Sequence, residues 1–92
     1  MRFKFDKKKS QKIKKDPRRN LSLAEAQEVW QHYHYVDCRS DDPEQFRVIG
    51  WVKGSLYTVI YEVREDQQGE YYHLATLWKS TKQDVKLYEK NS

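Results

Sequence analysis

The chain of 92 residues reads as a single α+β domain: an antiparallel four-stranded meander sheet with two N-terminal helices and one C-terminal helix. Three observations carry this. Ser22 and Glu25 form a capping-box pattern ahead of Leu23, Ala26, Val29 and Trp30 at helical spacing. Residues 33–77 then alternate between β-branched or aromatic and polar side chains, and break at Lys53-Gly54 and Gln67-Gln68-Gly69. Finally Thr81 or Ser80 opens a helix that carries Val85 and Tyr88 at i, i+3.

The elements follow in order. Phe3 and Phe5 alternate with Arg2 and Lys4 as a short strand with one apolar face. Asp6 caps a polar helix over 7–15, where Ile13 is the only strong apolar residue, and Pro17 ends it. The second helix, about 23–31, turns Leu23, Ala26 and Trp30 inward. Strands are expected at 33–39, from Phe46 to Val52, from Leu56 to Val63 and from Tyr71 to Leu77, with Ser40-Asp41-Asp42-Pro43 as a loop. On the last strand alternation groups Tyr72, Leu74, Thr76 and Trp78 on the core face and leaves His73 on the other. Helices stacked on one face would leave the opposite face open for a ligand.

Charge is strongly polarised along the chain. Residues 1–19 hold ten basic side chains against Asp6 and Asp16, a net of +8. Residues 20–78 carry −6 and the last fourteen +2. Such a concentration attracts polyanions. A lone cysteine, Cys38, precludes an internal disulfide, and no run of apolar residues has the length of a signal or a membrane span. A cytoplasmic protein with no membrane contact is the expectation.

Several chemistries lack their residues. His32, His34 and Cys38 do not have the carboxylates of a four-ligand metal site around them, and Gly50, Gly54 and Gly69 do not form a phosphate loop. The expectation is no metal and no cofactor. What remains is cations interleaved with aromatics, which suits RNA: charge for phosphate, flat rings for unpaired bases.

At this point the chain resembles the BrnT family, toxins of bacterial type II toxin–antitoxin systems with a RelE-like ribonuclease fold. Phe3-Lys4-Phe5-Asp6 with Lys9 is similar to the family's opening strand and Asp-x-x-Lys. Ser22-Leu23-Ala24-Glu25-Ala26 with Val29-Trp30 resembles its Ser-Phe-x-Glu-Ala helix. Ile49-Gly50, the turn at Gly54 and Leu56-Tyr57-Thr58-Val59-Ile60-Tyr61 resemble its Ile-Gly, turn and central strand. Lys79-Ser80-Thr81-Lys82-Gln83-Asp84 with Leu87-Tyr88-Glu89 resembles its closing helix.

The resemblance implies a metal-independent RNA endonuclease that inhibits growth. A cognate antitoxin from the adjacent gene would neutralise it, in an oligomer with the toxin. Arg47, Arg64, Lys79 and Lys82 would then stabilise charge on the phosphate, with His73 or Tyr88 as the proton-transfer group. Lys9, Lys15, Arg18, Arg19 and Trp78 would bind RNA, and an exposed strand at 33–39 or 46–52 would offer an edge to the partner. Asp16-Pro17-Arg18-Arg19-Asn20 lacks the family's histidine, and Thr76-Leu77-Trp78 stands where Ser-Ala-Arg is usual. A non-catalytic RNA-binding or partner-binding module is therefore the alternative.

Overall fold

The computed structural model describes residues 1–92. Its sheet has five strands, not four, and is mixed: β1 (Arg2–Lys4), β2 (His34–Asp41), β3 (Glu44–Val52), β4 (Ser55–Asp66) and β5 (Gly69–Lys79), in the order β1-β5-β4-β3-β2. β2 to β5 form the expected antiparallel meander. The strand read at Phe3 joins it in parallel, Phe3 opposite Tyr72, which the meander pattern alone does not disclose. The edge strands are β1 and β2, and β3 is interior.

α1 (Lys7–Lys15) has the expected limits. Asp6 accepts from the Lys9 N–H at its start, and Asp16, ahead of Pro17, ends it. It is not free: Ile13 is buried, and the buried Ser10 hydroxyl accepts from the Leu23 N–H.

The second helix is a 3₁₀ helix (Glu25–Gln31) rather than an α-helix. Leu23, Ala26 and Val29 are all fully buried, and their spacing of three is the 3₁₀ period. Packing that stripe against the sheet overrides the α-helical period. Trp30 is half-buried instead, against Phe3, Tyr61 and Tyr72 at 5.0–5.4 Å between ring centroids. The expected capping box is present: Ser22 Oγ accepts from the Glu25 N–H, and Glu25 Oε1 accepts from the Ser22 N–H.

α1 and the 3₁₀ helix cover one sheet face, where Val48, Val52, Tyr57, Val59, Tyr61, Leu74 and Leu77 form the core with Leu21, Leu23 and Val29. α2 (Lys82–Lys90) packs on the opposite face, so the helices are not confined to one side. It buries Ile49 and Thr58, and leaves uncovered the polar rows toward the far end of that face.

A bulge in β5 overturns the alternation expected there. Ile60 pairs with Thr76 but Tyr61 pairs with Leu74, so Ala75 is an extra residue. Tyr72 and Leu74 face the core as expected. Beyond the bulge the parity inverts, so Leu77 faces the core while Thr76 and Trp78 join His73 on the opposite face.

Lys53 and Gly54 both have positive φ, 49° and 82°, as the hairpin turn requires. No helix is long and apolar enough to cross a membrane.

Gly50 lies where the 3₁₀ helix meets β3: a Cβ there would come 2.7 Å from Val29 Cγ2. Val29 is β-branched and fully buried, so it has little room to give. Gly50→Ala is expected to lower the unfolding free energy by about 1–3 kcal/mol in urea denaturation, as overpacking does.

Candidate nucleic-acid interface

The loop after α1 lies across the free end of β5. Tyr57 Oη donates to the Arg19 carbonyl at 2.7 Å, and Arg19 Nη1 reaches Thr76 Oγ1 at 3.4 Å on the other side of the sheet. Arg19 therefore straddles the sheet edge. Beside it opens a cleft of about 440 Å³ lined by Asp16, Arg18, Arg19, Trp78, Lys79 and Thr81. A second, shallower depression lined by Lys9, Lys12, Ile13, Asp16 and Arg19 shares its wall. The combined surface is cationic, with Asp16 its one carboxylate. Asp16 pairs with Arg19 at 3.3 Å and accepts from the Arg18 N–H, so it fixes the loop that presents both arginines.

Trp78 forms the floor, and a buried carboxylate holds it. Asp84 Oδ2 accepts from Trp78 Nε1 at 2.9 Å, from Thr58 Oγ1 at 2.9 Å and from the Thr81 N–H at 3.1 Å. Its other oxygen faces Arg47 Nη1 at 3.6 Å. Burial disfavours the Asp84 carboxylate, but the hydrogen bonds from Trp78, Thr81 and Thr58 outweigh it and hold the group below the ordinary carboxylate range. The Thr81–Asp84 capping box of α2 is thus also the anchor of the cleft floor.

Other residues singled out by sequence lie elsewhere or are engaged. Arg47 forms a two-point ion pair with Asp37, its cross-strand neighbour, besides facing Asp84. Arg64 pairs with Glu62 at 2.7 Å. Tyr88 packs edge-on against Tyr33 at 5.4 Å between centroids. Lys82 opens α2 beside Thr81, exposed, and Lys15 ends α1, exposed.

His73 sits on the uncovered face between Glu62 of β4 and Lys4 of β1. Burial, then the nearby Arg64 charge, lowers its pKa, so the imidazole is largely neutral at pH 7 and able to accept a proton. Five positions of β5 separate it from Trp78, about 15 Å along the strand. The structure therefore gathers Arg18, Arg19, Trp78 and Lys79 into one site with Lys9 on its flank. It does not bring Arg47, Arg64 or Tyr88 to that site.

Sequence reasoning missed Arg39. This residue is the extra one at a second bulge, between Cys38 and Ser40 of β2, and its guanidinium lies 5.4 Å from the Trp78 ring centroid. Asp84 was also missed as a site residue. Its place as the fourth residue of a Thr81-x-x-Asp84 cap was the available signal.

No protein-family model matches the chain, and a search of curated proteins finds no match.

Five carboxylates are held below their ordinary range, Asp6, Glu25, Glu62, Asp66 and Asp84. Lys14, then the Ser22 N–H, takes Glu25 down to about 2; Arg2, then Lys4, lowers Asp66; Asp84 is lowered by the bonds above. A carboxylate with a depressed folded-state pKa stabilises the fold above its unfolded pKa and loses that contribution on acidification. The neutral His73 acts in the same direction below about pH 6.5. The urea midpoint is expected to fall continuously from pH 6 to pH 2, with most of the loss below about pH 4.5. A midpoint that holds or rises over that range would contradict these assignments.

Proposed function

We propose that the chain binds RNA through the Arg18, Arg19, Trp78 and Lys79 cleft, and that it acts as a BrnT-like toxin that cleaves RNA without a metal ion. One observation carries the binding half: three cations converge around an anchored indole, with a single carboxylate among them. Paired phosphates along a strand match such a row of cations, and the indole suits a base. The cleavage half rests on the resemblance in sequence to BrnT toxins. In it the 2′-hydroxyl attacks the adjacent phosphorus as the bond to the 5′-oxygen breaks. A base removes the 2′ proton, an acid protonates the leaving oxygen, and cations stabilise the phosphate charge. His73, largely neutral, has the protonation state of the base and stands about 15 Å along β5 from Trp78, so the phosphate it would act on lies beyond the cleft. Lys79 and Arg19 would hold neighbouring phosphates in the cleft. An antitoxin from the adjacent gene is proposed to cover the same basic surface, so that RNA and antitoxin exclude one another.

A specific observation favours the second reading, a binding module that does not cleave. Arg47 and Arg64 already satisfy Asp37, Asp84 and Glu62, and Tyr88 is packed against Tyr33. An acid–base group typically contributes ~10²–10⁴ in rate, so an enzyme without Tyr88 in that role would be slow.

Incubating the purified chain with end-labelled single-stranded RNA in EDTA separates the two. Fragments ending in a cyclic phosphate are expected, and their loss in His73→Ala. Bound but intact RNA at high protein concentration would leave the binding module. Affinity should fall with salt, and Arg18→Gln with Arg19→Gln should shallow the slope of log K against log [salt] by about 0.7 for each phosphate contact removed. A slope unchanged by both substitutions would remove the cleft from the interface.

A further inference from the structure

Resting on the RNA-binding reading above, we infer that Arg39 and Trp78 form a stacking clamp that takes one unpaired base, which makes the cleft selective for single-stranded over duplex RNA. The two residues come from opposite parts of the sheet, Arg39 from edge strand β2 and Trp78 from β5. Their contact is made over the polar face, with the guanidinium carbon 5.4 Å from the indole centroid.

The two halves of this contact differ in rigidity. Trp78 is half-buried and its Nε1–H is bonded to Asp84 at 2.9 Å, so the ring is held in one orientation. Arg39 is exposed and enters no ion pair or hydrogen bond, and its backbone is the unpaired residue of a bulge on an edge strand. The guanidinium is thus a flat group without a polar partner, resting on a fixed flat ring. Both surfaces have the shape and polarisability that nucleobases stack on. A base entering between them keeps the cation–π partner on one side and gains the indole on the other. The phosphates on either side of that base then meet Arg18, Arg19 and Lys79, which line the cleft that Trp78 borders. A base within a duplex has both faces covered by its neighbours and cannot enter, whereas phosphate contacts alone would accept either form.

The test compares a labelled ten-nucleotide oligouridylate with a duplex RNA of equal length, using the full chain and its variants Arg39→Ala and Arg39→Lys. Arg39 is exposed, so neither substitution threatens the fold. Arg39→Ala should weaken oligouridylate binding about fivefold or more, with duplex binding changed far less, since stacking is lost only where a base is available. Arg39→Lys retains the charge but not the flat fork, and should fall close to the alanine variant. Trp78→Phe, which keeps a ring but frees Asp84 of its indole, should weaken the single strand more than the duplex. Equal losses on both RNAs, a lysine variant as good as arginine, or Arg39→Ala binding that is unchanged or tighter would each overturn the clamp. Failure of the unaltered chain to bind either RNA would instead overturn the RNA-binding reading on which the clamp rests.

Discussion

One oxygen of Asp84 ties the closing helix to the sheet. Three donors from separate places in the chain converge on Oδ2: a hydroxyl from β4, an indole N–H from β5 and a backbone N–H at the start of α2. Its second oxygen turns toward Arg47 of β3. A buried carboxylate is costly unless its lone pairs are used, and here they are used, in part by the Trp78 indole and the Thr81 N–H, which have no other hydrogen-bond partner. Removing the carboxylate would strand those donors in a dry environment, which costs more than the bonds themselves contribute. The docking of α2 and the orientation of Trp78 therefore depend on the same group.

Two bulges turn this anchored sheet into a site. The extra Ala75 shifts the parity of β5, so that Leu77 completes the core while Trp78 crosses to the polar face and meets Asp84. The extra Arg39 leaves its side chain outside the regular ladder of β2, free to lie over the indole. The loop after α1 then brings Arg18 and Arg19 to the end of β5. The strong positive charge of the first nineteen residues is thus not a loose arm. Ile13 and Ser10 seat the helix, and Tyr57 holds the loop by the Arg19 carbonyl.

Local signals carried much of this fold in advance. The Asp6 cap and Pro17 delimit α1, the Lys53-Gly54 and Gly69 turns delimit the hairpins, and Thr81 opens α2, because each is chemistry between residues close in sequence. What escaped was non-local or broke a period. The parallel pairing of β1 with β5 joins residues some seventy positions apart and leaves no local mark. Alternation presumes an unbroken period of two, and nothing in Leu74-Ala75-Thr76 announces the insertion that reverses it. The 3₁₀ helix was partly legible: Leu23, Ala26 and Val29 fit a period of three, while adding Trp30 makes the same stretch look α-helical. Arg47 looked available only because its partner Asp37 depends on strand register, whereas the Glu62–Arg64 pair, two apart on one strand face, could have been read directly.

Asp84 is held to build the proposed RNA site by fixing Trp78 while touching no RNA itself. The most direct measurement is the affinity of Asp84→Ala for single-stranded RNA, made where circular dichroism shows the variant folded. Loss of one negative charge should by itself tighten binding to a polyanion. A weakened affinity, from an indole no longer held, is the result predicted here. An affinity that is tighter than that of the unaltered chain would show that charge alone governs the interface and that the Asp84 anchor does not build it.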